Sequence, residues 1–107
     1  MILVCNRIPV NPEHAEAFEE TFSQRSGAVD GMDGFIAFQM CKPTQEGDPY
    51  VIMTFWESHA HFEAWTTSEE FKQGHGRSST LPKETFLGRP KLEIYDVMHS
   101  TAKIEKA

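Results

Sequence analysis

Residues 35–57 read FIAFQMCKPTQEGDPYVIMTFWE. Two runs rich in β-branched and aromatic residues, Phe35 to Lys42 and Tyr50 to Glu57, flank a stretch from Pro43 to Pro49 that carries Gly47 and Asp48. Such runs read as strands, and a loop this short joins antiparallel partners. In the second run Val51, Met53 and Phe55 point one way, while Ile52, Thr54 and Trp56 point the other. In the first, Ile36, Phe38 and Met40 oppose Phe35 and Ala37. Both faces are apolar, so each face of this hairpin needs cover.

On the N-terminal side, Asp30-Gly31-Met32-Asp33-Gly34 is a turn signal. Before it, Ile2 to Val10 reads as a strand that ends at Pro9 to Pro12. Asn11 stands where an N-cap belongs, with Pro12 at the first helical position. Glu13 and Glu16 suit the positive end of a helix, and Arg25 its negative end. Ala15, Phe18, Phe22 and Val29 follow helical spacing, and the helix is expected to stop near Gly27.

On the C-terminal side, Ser58 caps a second helical region in which Phe62 and Trp65 share a face. Thr66-Thr67-Ser68 interrupts it, and Ser68 caps a further short helix carrying Phe71 and His75, ended by Gly74 and Gly76. Arg77 to Gly88 lacks periodicity and reads as a loop. Lys91 to Met98 is the last strand, with Leu92 and Ile94 opposite Tyr95 and Val97. The polar tail from His99 is expected to fray.

Strand, helix, strand, strand, helix, strand is the ferredoxin-like βαββαβ order, an α+β sandwich on an antiparallel sheet. Right-handed crossovers put both helices on one face. The second apolar face is then expected to meet its own copy across a two-fold axis, giving a homodimer with the sheets packed as an α+β barrel.

The chain has 107 residues, which predicts a single domain over 1–107. Its net charge of −6 disfavours nucleic acid and phospholipid surfaces as partners, and no stretch approaches a membrane span. The apolar run Met1 to Cys5 is too short for an export signal. Cys5 and Cys41 fit no metal or redox spacing, so a reduced, cytoplasmic location is expected.

Few residues advertise chemistry. Asn6 interrupts an apolar strand and shares a face with Ile2, Val4, Ile8 and Val10. A polar amide there is either satisfied by backbone or aimed into a pocket under the helices. His75 lies between Gly74 and Gly76, small neighbours that let a bulky planar ligand come close. It is either an exposed histidine near a helix end or an iron ligand. His59 and His61 are two apart, point opposite ways on a helix, and are expected to face solvent, as is His14. Trp65 is either core or a wall of the pocket. Phosphate-loop, dinucleotide, nucleophile-elbow and zinc spacings are absent from the sequence. The chemistry therefore leans on a bound cofactor or substrate.

Asn6-Arg7, Gly34-Phe35-Ile36-Ala37-Phe38-Gln39, Phe55-Trp56-Glu57-Ser58, Phe62-Glu63-Ala64-Trp65 and Phe71-Lys72-Gln73-Gly74-His75 together resemble the antibiotic-biosynthesis-monooxygenase (ABM) domain. Within it they are most similar to the IsdG-type haem-degrading enzymes and their mycobacterial relatives. The resemblance spans nearly the whole chain, and the trio of Asn, Trp and His is its specific part. It implies that His75 is the axial ligand of haem iron, Asn6 the distal amide, and Trp65 the side chain that ruffles the porphyrin. It implies further that Phe22 is a pocket aromatic and that Arg25 lies near a propionate. Phe62 and Phe71 complete the apolar surround that a haem needs, and Lys72 or Arg77 are further candidate cations. One histidine ligand leaves the second axial position open.

The implied activity is a haem-degrading monooxygenase that takes dioxygen and electrons from an external donor, a reductase or small reductant, and opens the ring to release iron. Two rivals stand beside it. A cofactor-independent monooxygenase of an aromatic polyketide or quinol has no use for His75. A haem carrier binds haem without turnover.

Overall fold

The structure, a computed structural model, describes residues 1–23, 29–69, 71–72 and 81–101. The helix stop at Gly27 and the candidate residues Arg25, His75 and Arg77 lie outside the described residues. Four strands, β1 (Ile2–Ile8), β2 (Phe35–Cys41), β3 (Tyr50–Trp56) and β4 (Lys91–Asp96), form one antiparallel sheet in the order β2-β3-β1-β4. Helix α1 (Ala15–Ser23) follows a single 3₁₀ turn at Pro12–His14, and α2 (His59–Thr66) links β3 towards β4. This is the expected ferredoxin-like topology.

Local chemistry starts both helices where the sequence placed them. The Asn11 side chain accepts a hydrogen bond from the Glu13 N–H at 3.1 Å, with Pro12 next in line. Ser58 Oγ accepts from the His61 N–H at 3.3 Å, and Ser68 Oγ from the Phe71 N–H at 3.2 Å. Strand β1 stops at Ile8, two residues before the expected end, because Pro9 has no N–H to give the ladder. Strand β4 ends at Asp96, but the Val97 N–H still reaches the Met1 carbonyl at 3.1 Å.

The face towards the helices carries Ile2, Val4, Ile8, Ile52 and Trp56. One parity expectation fails here. Simple alternation sets Phe35 opposite Phe38 and Met40, yet Phe35 and Phe38 pack into the same cluster with Trp56. The register shifts between Phe35 and Ala37, so an extra residue re-aims the start of β2. Phe35 and Trp56 then meet with ring centroids 5.7 Å apart. Helix α1 buries Phe18 and Phe22, and Phe18 lies 4.9 Å from the Tyr50 ring. The Tyr50 hydroxyl donates to the Glu19 carboxylate, and Lys42 Nζ sits 3.2 Å from the same carboxylate, which ties α1 to β3. Burial, and then the Glu19 carboxylate, push the Tyr50 hydroxyl up to about 12.

The opposite face presents Leu3, Cys5, Ala37, Val51, Met53 and Phe55, and no described helix covers it. It is less uniformly apolar than expected. Arg7 Nε donates to Glu93 at 2.6 Å, and the Tyr95 hydroxyl donates to the same carboxylate at 2.8 Å. Those two donors, Tyr95 foremost, hold the Glu93 carboxyl below its usual range.

His61 corrects a second expectation. It is half-buried, with Nδ1 2.7 Å from Ser58 Oγ, and its ring lies against Gly34. Gly34 has φ +77°, and a Cβ built there would overlap that ring. His14 is also half-buried; only His59 of the three is exposed. Gly34→Ala is expected to cost about 2 kcal/mol or more, from left-handed backbone strain and overpacking. Gly31→Ala, whose added Cβ meets nothing within 4 Å, is the control. Equal thermal midpoints for the two variants would refute this packing.

Candidate functional site

Sheet and helices do not close completely. Between them lies a cavity of about 380 Å³, lined by Val4, Asn6, Phe22, Val29, Phe38, Ile52, Thr54, Phe62, Trp65, Thr66, Phe71, Phe86, Pro90 and Leu92. Five residues singled out from the sequence meet here: Asn6 from β1, Phe22 from α1, Phe62 and Trp65 from α2, and Phe71 just beyond it. The chain leaves this wall at Phe71 and Lys72, and the described residues resume at Leu81.

Strand pleating aims Asn6 inward. It stands between Val4 and Ile8 on the helix-facing side, with Ile52 of β3 and Leu92 of β4 as its cross-strand neighbours. Among the described residues its amide has no hydrogen-bond partner. Trp65 is both core and wall. It stacks on Trp56 at 6.5 Å with planes 29° apart, and Phe71 meets its ring edge-on at 5.6 Å. Only 8% of Trp65 is exposed, so the ring is held firmly in place.

The helices stop short of β4. Leu92 and Ile94 lie on the helix-facing side yet are 55% and 40% exposed, which leaves one flank of the cavity open. The segment from Arg77 to Gly88, read from sequence as a loop, is partly structured. Lys83–Thr85 makes a 3₁₀ turn, Val10 bridges to Phe86, and the Leu87 N–H donates to the Pro9 carbonyl at 3.0 Å. This pins Phe86 and brings Pro90 to the cavity rim. Both were missed, because a short segment held by long-range pairing has no periodicity of its own. Thr54 was also missed as a site residue, although its parity with Ile52 and Trp56 was legible.

The lining is mostly apolar and aromatic, with few convergent polar groups, as a site for a large flat apolar ligand requires. No cation lines it among the described residues; Lys72, beside Phe71, is exposed and 4.0 Å from Glu69. Among the described residues no cluster of His, Cys, Asp and Glu is placed to hold a metal ion, and no helix is long and apolar enough to cross a membrane.

The sequence pattern of the antibiotic biosynthesis monooxygenases matches residues 1–77. The chain belongs to this family. Among its ABM relatives, the staphylobilin-producing heme oxygenase of Staphylococcus haemolyticus is 35% identical over 87 residues, covering 79% of this chain and 83% of the relative. A heme-degrading monooxygenase of Shouchella clausii is 29% identical over 99 residues, covering 91% and 90%. Among solved structures, the heme-degrader MhuD of Mycobacterium tuberculosis, with two hemes in its active site, superposes with a TM-score of 0.74. It is 24% identical and covers 95% of this chain and 100% of its own. SnoaB, a cofactor-independent oxygenase of Streptomyces nogalater, also gives 0.74, at 17% identity over 94% of this chain and 95% of its own. These superpositions establish the fold, which a heme-degrader and a cofactor-independent oxygenase share.

Proposed function

We propose that this ABM protein is a haem-degrading monooxygenase acting on haem as its substrate. The observation that carries the reading is the convergence of Asn6, Phe22, Phe62, Trp65 and Phe71 on one apolar cavity. The relatives named as heme oxygenases support it. Bound haem supplies the iron at which dioxygen is activated, with electrons from an external donor. The aromatic walls exclude water from the macrocycle. Trp65, held by Trp56 and Phe71, would give a bound porphyrin a rigid surface to press against. Asn6 presents N–H groups from the sheet side without ionising.

His75 is the proposed axial ligand, and Arg25, Lys72 or Arg77 the proposed partners of the propionates. The uncovered sheet face is the proposed homodimer surface, with one ABM domain over 1–107 and a cytoplasmic location. The net charge of −6 disfavours nucleic acid and phospholipid surfaces as partners.

The test is to titrate the pure protein with haemin and then add ascorbate in air. A Soret band that forms and then decays, with iron released to a chelator, is the expected result. A stable band marks a carrier, and no band marks a cofactor-free oxygenase; either overturns the reading.

A further inference from the structure

The buried apolar side chains form two clusters, and the cavity draws its walls from both. Trp65 belongs to one cluster with Val4, Phe35 and Trp56, and Phe71 packs against it. Phe22 belongs to the other with Ile8, Phe18 and Tyr50, and Phe86 packs against that one. Val4 and Ile8 stand towards opposite ends of one face of β1, so the two aromatic walls face each other along the strand direction. Between them the floor draws on every strand: Phe38 from β2, Ile52 and Thr54 from β3, Val4 and Asn6 from β1, and Leu92 from β4. Neighbouring strands lie about 4.8 Å apart, so this floor is roughly 14 Å across. A flat ligand buries the most apolar area lying along such a floor, with its rim towards the walls.

Phe86 is a wall residue placed by backbone pairing. Val10 bridges to it, and the Leu87 N–H donates to the Pro9 carbonyl at 3.0 Å. The Asn11 N–H donates to the Thr85 carbonyl at 2.8 Å. The Asn11 side chain works at both ends. Its Oδ1 accepts from the Glu13 N–H, and its Nδ2 donates to the Glu84 carbonyl at 3.2 Å. Fully buried Phe18 meets the Phe86 ring edge-on at 6.2 Å. The Phe86 ring therefore cannot retreat without dislodging Phe18 or breaking this pairing. The β4 flank differs, because Leu92 and Ile94 leave it exposed.

We propose that Phe86 is a specificity-determining residue: it is the stop at the α1 end of the cavity that fixes the in-plane rotation of bound haem, and with it the isomer of tetrapyrrole released. This rests on the haem-degrading reading and adds to it the residue that sets its regiochemistry. A haem rim is uneven, with propionates on one side and methyl and vinyl groups on the others. Propionates turned against Phe22 and Phe86 would lose water with no polar partner there, so an apolar stretch of the rim takes that wall. Which stretch fits is then a matter of shape, to which a rigidly backed aromatic ring is sensitive.

Phe86→Ala is the test, with Phe86→Leu as the milder change. Asn11→Asp loosens the wall without touching the ring. It keeps the acceptor that caps the helical turn and loses the donor to Glu84. Each variant is loaded with haemin and read in two ways. The methyl proton resonances of the ferric complex, with cyanide added as a probe, report the rotation of the ring. Chromatography of the tetrapyrrole products reports the isomer ratio. Phe86→Ala is expected to bind haemin within about tenfold of the parent, the loss of one apolar contact. Its methyl pattern is expected to shift or split into a second set, and its isomer ratio to move by at least about threefold. Asn11→Asp is expected to move both readouts in the same sense by less, and Phe86→Leu to stay nearer the parent.

A parent methyl pattern and isomer ratio in Phe86→Ala overturn the inference alone. So does slower turnover with the ratio unchanged, the mark of a wall that only supports the fold. Failure of the parent to bind haemin, or to degrade it, overturns the haem-degrading reading and takes this inference with it. If Phe86→Ala does not fold, Phe86→Leu carries the same expectations at smaller size.

Discussion

His75→Ala is expected to lose haem turnover by at least about a hundredfold, equivalent to roughly 2.7 kcal/mol of barrier, and to bind haemin far more weakly. The physical ground is the donor inventory. Oxygenation at a haem needs iron held on one side and open on the other, and a neutral imidazole is the ligand that does this without adding charge. Among the described residues, no side chain lining the cavity ligates iron through nitrogen or sulfur. His75 follows Phe71, a wall residue, by four positions, and the glycines at 74 and 76 remove steric bulk beside it. Added imidazole is expected to restore part of the Soret spectrum of His75→Ala, a response that a structural defect would not show. If the variant degraded haemin at the parent rate, His75 would be an ordinary surface histidine.

The second large effect concerns Asn6. Asn6→Ala is expected to keep haemin binding within a few-fold and to lose about a hundredfold in turnover. That is the scale seen when one preorganised donor aimed at developing charge is removed. Stability separates this role from a structural one. A buried amide bonded within the protein destabilises the fold when deleted, whereas the Asn6 amide, with no partner among the described residues, leaves it unharmed. The apo form of Asn6→Ala is therefore expected to melt at or above the parent midpoint. A lowered midpoint with proportionate loss of activity would mean that Asn6 supports the sheet rather than the chemistry.

The two sites differ in how legible they were. Asn6 stood out because a lone amide among Ile2, Val4, Ile8 and Val10 is costly, and strand parity alone put it on the core side. Phe22, Phe62 and Trp65 were legible from helical spacing behind the caps Asn11 and Ser58. Thr54 was invisible as a site residue, because a threonine in a strand is unremarkable until the packing shows that it lines the cavity. Phe86 and Pro90 reach the cavity through a bridge between Val10 and Phe86, whose partners are 76 positions apart. His61 looked exposed from helix geometry and is half-buried, because Gly34 of a distant turn leaves room for its ring.

By itself the sequence determined the order of strands and helices, their capped starts, the inward side of β1 and the parity sets of β3, because these follow from local hydrogen bonding and the two-residue pleat. Only the tertiary structure decided the bulge that turns Phe35 onto the Trp56 cluster, the open flank at Leu92 and Ile94, and the place of Thr54 beside Asn6 in the cavity lining. Register and packing arise between segments far apart in the chain, and no local propensity encodes them.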